Sequence, residues 1–306
     1  MPSLPSRVTL VEVGPRDGLQ NESQPISTAD KIRLVDALSG AGLPVIEVTA
    51  FVSPRWVPQM ADAAEVLSGI SRRPGTRYTA LVPNVKGLER ALASRVDAVA
   101  VFGAASETFS RRNINQSIDE WMATFAEVCR IASETKLPVR GYLSTCFGCP
   151  FEGDIDPEQV AVVSERLFNL GVYEVVLSDT IGVAHPRLVD DVVTRTLARI
   201  PAQHLALHFH DTRGTALANV LTGLTLGIST YDTATGGLGG CPFAPGATGN
   251  VATEDVLYML DGLGIETGVL LSAVLQASRG VEDVLGRALP SRYYRAHHAA
   301  AARAGR

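Results

Sequence analysis

Two histidines one residue apart, His208 and His210, close an apolar run, Leu205-Ala206-Leu207, that reads as a buried strand. In a strand, residues i and i+2 point to the same face, so the two imidazoles would converge on one wall where the strand ends. Two imidazoles held this way form a ready metal pincer. The plainer reading is a pair of polar side chains bonded to backbone. Asp17 would add a carboxylate and the Asn250 side-chain carbonyl a fourth ligand, leaving room for substrate oxygens. Hard oxygen donors favour Mg²⁺ or Mn²⁺, whereas imidazoles also suit Zn²⁺ or Co²⁺. A metal there would chelate a hydroxy or keto acid and stabilise an alkoxide or enolate. Arg16 could polarise a carbonyl, could form an ion pair with Glu47 or Asp179, or could do both. Glu12 and Glu47 sit at strand ends, where a free buried charge is costly, so pairing with Arg16 is expected of each.

Cys241 lies in Gly239-Gly240-Cys241-Pro242, where flanking glycines would let a loop close and deliver a thiol as acid or base. Its plainer reading is a small buried apolar residue. Cys146 and Cys149 have C-x-x-C spacing, but no second such pair or nearby histidine completes a zinc site.

These residues are scattered in sequence, so something must bring them together. Candidate strands are Thr9–Val13, Val45–Thr49, Tyr78–Val82, Ala98–Phe102, Val139–Ser144, Glu174–Ser178, Leu205–His208 and Thr230–Ala234. Between them run stretches with helical spacing, including Ala29–Ala41, Ser117–Thr135, Pro157–Leu170, Pro186–Ile200 and Thr215–Leu226. Ser27 or Thr28, Ser117 and Asp156 are placed as N-caps, and Gly42 and Gly171 as left-handed C-caps. Eight strands alternating with helices over about 250 residues predict an α/β fold, a (β/α)8 TIM barrel. The rival open sheet would want G-x-G-x-x-G after the first strand, and none is there. The barrel is expected over about residues 8–265, a helical cap over about 266–290 and a fraying helical tail to 306, all in one domain. One or two helices are expected within Asp255–Leu285. In such a barrel the active site forms at the C-terminal rim. Glu47, Tyr142, Ser144, Asp179 and Thr180 fall there. Gln20, Tyr142, Ser144, Thr180 and Asn113 are the candidates for holding substrate.

Composition narrows the function. Hydrophobic residues make up 46% of the 306, enough for a large core. With 27 basic and 32 acidic side chains the net charge is −5, which argues against nucleic-acid binding. No run of eighteen apolar residues would span a membrane, and the first residues show no apolar leader. Four cysteines are too few and too unevenly spaced for a disulfide framework, so a cytoplasmic protein is expected.

The motifs together resemble the hydroxymethylglutaryl-CoA lyases. The similarity is carried by Val11–Glu22, Phe51–Pro54, Phe102–Glu107, Arg140–Tyr142, Asp179–Gly182, His208–Thr212, Gly237–Pro242 and Gly249–Asp255, spanning about residues 8 to 290. The resemblance implies a metal-dependent barrel lyase with Asp17, His208, His210 and Asn250 on the metal. It implies Arg16 near the reacting carbonyl, Glu47 and Asp179 in the site, and Cys241 as a catalytic thiol on a mobile loop. The implied reaction is cleavage of 3-hydroxy-3-methylglutaryl-CoA to acetoacetate and acetyl-CoA with Mg²⁺ or Mn²⁺, in a homo-oligomer. The hydroxyl proton would go to Asp179 or to a histidine network. The rivals are a lyase for a bulkier 3-hydroxy-3-alkylglutaryl-CoA and an acetyl-CoA-dependent Claisen synthase. The synthases usually read Arg-Asp-Gly-Glu-Gln, where this chain has Arg16-Asp17-Gly18-Leu19-Gln20. A further alternative is a non-catalytic scaffold, which would have no need for the whole set. One departure is Arg213, where many of the lyases have Tyr; it could serve CoA phosphates, a substrate carboxylate or a helix-end salt bridge.

Overall fold

Short strands that are apolar on both faces need cover on both sides, which a barrel ringed by helices supplies. The computed structural model describes residues 4–240 and 249–304. Its strands are β1 (Thr9–Glu12), β2 (Val45–Ala50), β3 (Arg77–Leu81), β4 (Ala98–Ala104), β5 (Val139–Ser144), β6 (Glu174–Asp179), β7 (Leu205–Phe209) and β8 (Thr230–Thr233). All pair in parallel and in chain order, and β8 pairs back onto β1, closing the barrel. The expected (β/α)8 barrel is the fold found.

The helices are α1 (Thr28–Gly40), α2 (Ala63–Gly69), α3 (Val85–Ala93), α4 (Glu107–Asn113), α5 (Ile118–Glu134), α6 (Pro157–Phe168), α7 (Pro186–Leu197), α8 (Ala216–Thr225), α9 (Thr253–Gly262), α10 (Leu271–Leu285) and α11 (Arg292–Ala304). Their starts follow local chemistry. Ser27, Ser117 and Asp156 each accept a hydrogen bond from a backbone N–H of the first turn, and Ser117 with Glu120 forms a reciprocal capping box. Helices α2, α3 and α4 were not predicted from the sequence; at seven to nine residues they are too short for a clear helical period.

The expected helical tail is, as far as residue 304, the end of a helix, α11, that begins at Arg292. Its first turn is capped by Asp255, which accepts the Ser291 hydroxyl and the Arg292 and Tyr293 N–H groups. Tyr294 is buried and its hydroxyl donates to Glu282 at 2.6 Å.

Inside the barrel, side chains alternate inward and outward. Ala100, Tyr142, Val176 and Ala206 form an inner apolar cluster separate from the main core between barrel and helices. Arg140, Tyr142 and Ser144 share one face of β5, and this face carries polar chemistry up the barrel interior to the rim.

Candidate metal centre

The site is built from the ends of β1, β2, β7 and β8. After β1 the chain tightens into a π-helical turn, Gly14–Gly18, in which the Val13 carbonyl accepts the N–H groups of Arg16, Asp17 and Gly18. Gly14 is required there, because a Cβ would stand 2.5 Å from Glu12 Oε1. The turn presents Arg16 and Asp17 to the mouth of the barrel. Arg16 donates through Nε to Glu47 Oε2 at 2.5 Å and through Nη1 to Asp17 Oδ1 at 2.7 Å. Its guanidinium also lies 5.7 Å from the Tyr142 ring centroid.

His208 is the penultimate residue of β7 and His210 follows the strand, with ring centroids 5.2 Å apart. The strand alternation therefore puts them on one wall. A single bridge joins His210 to Asn250 in the segment after β8. Asn250 donates through Nδ2 to Asp17 Oδ2 at 2.8 Å and to the Leu238 carbonyl at 3.0 Å. Asp17, His208 and His210 can each offer a ligand atom within 4.8 Å of the others. A divalent cation fits this donor set. Both His210 ring nitrogens and Asn250 Oδ1 are buried and have no hydrogen-bond partner among the described residues. Such groups are costly unless something polar meets them. His208 Nδ1 is engaged by Asp232 Oδ2 at 3.1 Å, which leaves Nε2 for a ligand.

The electrostatics suit a cation. Burial alone would raise the Asp17 carboxyl, but Arg16, with His208 and His210, holds it down at about 2. Burial and the neighbouring His208 push His210 down to about 4, so it is neutral and able to ligate at pH 7. Burial raises Glu47 and Asp179 above the ordinary carboxylate range, against the pull of Arg16 on Glu47 and of backbone N–H groups on Asp179.

The other predicted residues are placed as follows. Asp179 ends β6, and its two oxygens accept the Val183 and Ala184 N–H groups at 3.0 and 2.8 Å. The carboxylate thus shapes the loop after β6. Glu47 Oε1 is buried with no partner among the described residues. So are Ser144 Oγ and Thr180 Oγ1, free polar groups at the ends of β5 and β6. Tyr142 lies deeper and its hydroxyl accepts from Arg140 at 2.9 Å. Gln20 is half-buried just after the β1 turn, while Asn113 ends α4 exposed to solvent, with no printed contact to the cluster. Cys241 lies outside the described residues; Asn21 donates to the Gly240 carbonyl just before it.

One expectation about charges is revised and two are narrowed. Glu12 does not pair with Arg16. It faces outward from β1 and accepts Gly14 N–H, Thr235 N–H and the Thr253 hydroxyl. Arg16 pairs with Glu47 and Asp17, and no ion pair joins it to Asp179 among the described residues. Arg213 donates to the Ile181 and Gly182 carbonyls at 3.1 and 2.8 Å, tying the loop after β7 to the loop after β6.

Sequence reasoning missed Asp232 and Arg140 as parts of the site. Asp232 is fully buried between His208 and Arg140. Burial would raise its carboxyl, but Arg140 and His208 keep it below the ordinary range. The signal was present: a carboxylate in the middle of a strand buried on both faces must have a partner.

An eight-strand parallel barrel with an Asp–His–His cluster at its C-terminal rim defines a TIM-barrel protein with a candidate metal centre. The chain belongs to the HMGL-like family, whose model matches residues 7–281. A Pseudomonas aeruginosa 3-hydroxy-3-isohexenylglutaryl-CoA/hydroxy-methylglutaryl-CoA lyase is 56% identical over 290 residues, covering 95% of this chain and 97% of its own. The crystal structure of hydroxymethylglutaryl-CoA lyase from Pseudomonas aeruginosa superposes with a TM-score of 0.95 at 55% identity, covering 97% of this chain and 99% of that one. An HMG-CoA lyase from Acinetobacter baumannii, in complex with coenzyme A and 3-methylmalate, superposes with a TM-score of 0.90 at 39% identity, over 95% of each chain.

Proposed function

We propose that this chain is a divalent-metal-dependent carbon–carbon lyase that cleaves 3-hydroxy-3-methylglutaryl-CoA to acetoacetate and acetyl-CoA. The observation that carries the reading is the rim cluster of Asp17, His208, His210 and Asn250 beside Arg16, in which both His210 ring nitrogens and Asn250 Oδ1 are buried without a hydrogen-bond partner among the described residues. Its support is the family membership and relatives of that activity over almost the whole chain.

A bound Mg²⁺ or Mn²⁺ supplies Lewis-acid stabilisation of a substrate alkoxide and a template for its oxygens. The chain's own groups would do the rest. The 3-hydroxyl gives up its proton, its oxygen becomes the ketone of acetoacetate, and the C2–C3 bond breaks. The electron pair moves into the thioester as an enolate, and protonation at C2 gives acetyl-CoA. Arg16 would offset charge on the thioester oxygen, with Glu47 and Asp17 fixing its direction. Cys241 would return the proton to C2. Two buried carboxylates could take the hydroxyl proton, and they differ in what already holds them. Both Asp179 oxygens accept backbone N–H groups, whereas Glu47 keeps Oε1 without a partner. Glu47 is therefore the acceptor we favour, and Asp179 the residue that sets the loop bearing Thr180. Ser144, Thr180, Tyr142, Gln20 and Asn113 are the proposed substrate contacts.

No helix among the described residues is long and apolar enough to cross a membrane. The expected compartment is the cytoplasm, supported by free, buried Cys129, Cys146 and Cys149. A homo-oligomer is expected.

The test is a product assay. Chelator-treated protein is given Mg²⁺ or Mn²⁺ and 3-hydroxy-3-methylglutaryl-CoA, and both products are followed. Metal-dependent formation of acetoacetate and acetyl-CoA in equal amounts is expected; a folded, metal-loaded protein that forms neither refutes the reading. The name of the Pseudomonas aeruginosa relative favours a second reading, a larger 3-alkyl group, and 3-hydroxy-3-isohexenylglutaryl-CoA tests it in the same assay.

A further inference from the structure

One histidine of the pair is oriented by a chain of buried charges and the other is not. The strand register makes the difference. Pairing β7 with β8 sets His208 beside Asp232, and pairing β5 with β6 sets Arg140 beside Glu174. Asp232 Oδ2 meets His208 Nδ1 at 3.1 Å, while its Oδ1 accepts Arg140 Nη1 at 2.8 Å. Arg140 in turn donates through Nε to Glu174 Oε2 at 2.6 Å and through Nη1 to the Tyr142 hydroxyl at 2.9 Å. The Tyr142 ring meets His208 edge-on, with centroids 6.3 Å apart. So Arg140 braces His208 twice, once by hydrogen bonds through Asp232 and once by packing through Tyr142. His210 has no hydrogen-bond partner at either ring nitrogen among the described residues, its Nε2 standing 3.8 Å from Asp17 Oδ2.

We infer that Asp232 and Arg140 are positioning residues for the metal centre: they fix the ring and the tautomer of His208 so that its Nε2 is bare and aimed at the cation. This rests on the metal-site reading above. A carboxylate only accepts hydrogen bonds, so His208 must carry its proton on Nδ1. Arg140, which only donates, keeps Oδ1 of Asp232 occupied and prevents the carboxylate from rotating away. Outer partners of this kind typically change metal affinity by about 10–100-fold when removed.

The decisive variant is Asp232→Asn, because it keeps shape and hydrogen bonds while reversing one of them. Arg140 can only donate, so the new amide must turn its oxygen to Arg140 and its NH₂ to His208. The imidazole then accepts at Nδ1 and carries its proton on Nε2, where the metal should bind. Mn²⁺ titration of the full chain, read by the EPR signal of free Mn²⁺, should show affinity weakened by about 10–100-fold. Arg140→Lys keeps the charge but loses the fork, and should weaken binding by less. Wild-type affinity in a folded Asp232→Asn variant overturns the inference.

A measurement on unmutated protein guards against a variant that does not fold. Nitrogen-15 NMR of histidine-labelled, metal-free wild-type protein should show His208 protonated on Nδ1; finding the proton on Nε2 overturns the inference. Asp17→Ala separates the two levels. If wild type and Asp17→Ala bind Mn²⁺ equally poorly, the metal reading fails and this inference falls with it. If wild type binds and Asp232→Asn binds as well, only the positioning role is lost.

Discussion

Two buried polar clusters flank the end of β1, and they are built on opposite principles. On the outer side, Glu12 and Glu254 are surrounded by donors. Glu12 accepts from Gly14, Thr235 and Thr253, and Glu254 from Gly236 and Ser278. On the inner side, among the described residues, the His210 ring nitrogens and Asn250 Oδ1 lack hydrogen-bond partners, and Glu47 uses one oxygen of two. The outer cluster is complete within the chain and stitches the segment after β8 onto β1. The inner cluster is incomplete, as expected of groups that await a cation and a substrate. Burial alone does not separate structural from functional carboxylates; the state of their hydrogen bonds does.

The largest effect should come from breaking the inner cluster at its anion. Asp17→Ala removes a proposed ligand and the group that fixes Asn250, and should abolish metal-dependent turnover while isothermal titration shows Mn²⁺ binding lost. Full activity in that variant would sink the ligand assignment. Next comes Arg16→Gln. It removes the charge proposed to face the reacting carbonyl and should lower kcat by about 10²–10³-fold. It also strips Glu47 of its partner, so thermal stability should fall as it does when one member of a buried pair is deleted, by about 3–5 kcal/mol. Unchanged kcat with lowered stability would make Arg16 a structural cation only.

The outer cluster predicts a pH effect instead. Burial, opposed by hydrogen bonds from Thr253, Thr235 and Gly14 and aided by Glu254, raises the Glu12 carboxyl to about 7; Glu254 is likewise raised to about 7 by burial. Between the ordinary carboxylate value and pH 7 the folded protein holds protons that the unfolded chain releases. Stability from each group is therefore fully present below the ordinary value of 4.5 and is lost progressively as pH rises from there to about 7, by on the order of 3 kcal/mol in all for a shift of this size. Melting temperature should fall between about pH 4.5 and about pH 7 and level off above that. In Glu254→Gln that slope should be shallower, at the cost of about 1–3 kcal/mol from a mismatched donor. Parallel slopes would show that Glu254 does not titrate there.

The barrel was legible in the sequence because its strands are apolar on both faces and its long helices carry caps. Asp17, His208 and His210 were legible because the types are rare and the i, i+2 spacing has a direct geometric meaning. The partners were harder. Glu12 stands four residues from Arg16, yet strand alternation turns it to the other side of the barrel wall. Asp232 and Arg140 are 92 residues apart and meet across the interior, a contact set by closure and register. Nothing local in Tyr231-Asp232-Thr233 says which residue lies opposite.

Arg213 offers the smallest effect and the sharpest test of where the inner site ends. Its guanidinium holds two carbonyls of the loop after β6, close to Thr180, while the side chain remains solvent-exposed. If this is all it does, Arg213→Tyr should lose about 0.5–1.5 kcal/mol of stability, as for a net hydrogen bond partly replaced by water. The KM for the acyl-CoA substrate and kcat should then stay within about twofold, a difference of about 0.4 kcal/mol. A tenfold rise in KM at constant kcat would mean instead that Arg213 contributes binding shared by ground and transition states, as a contact to a CoA phosphate would. Repeating the measurement at high salt separates the two, since an exposed phosphate contact is screened and a staple between loops is screened much less.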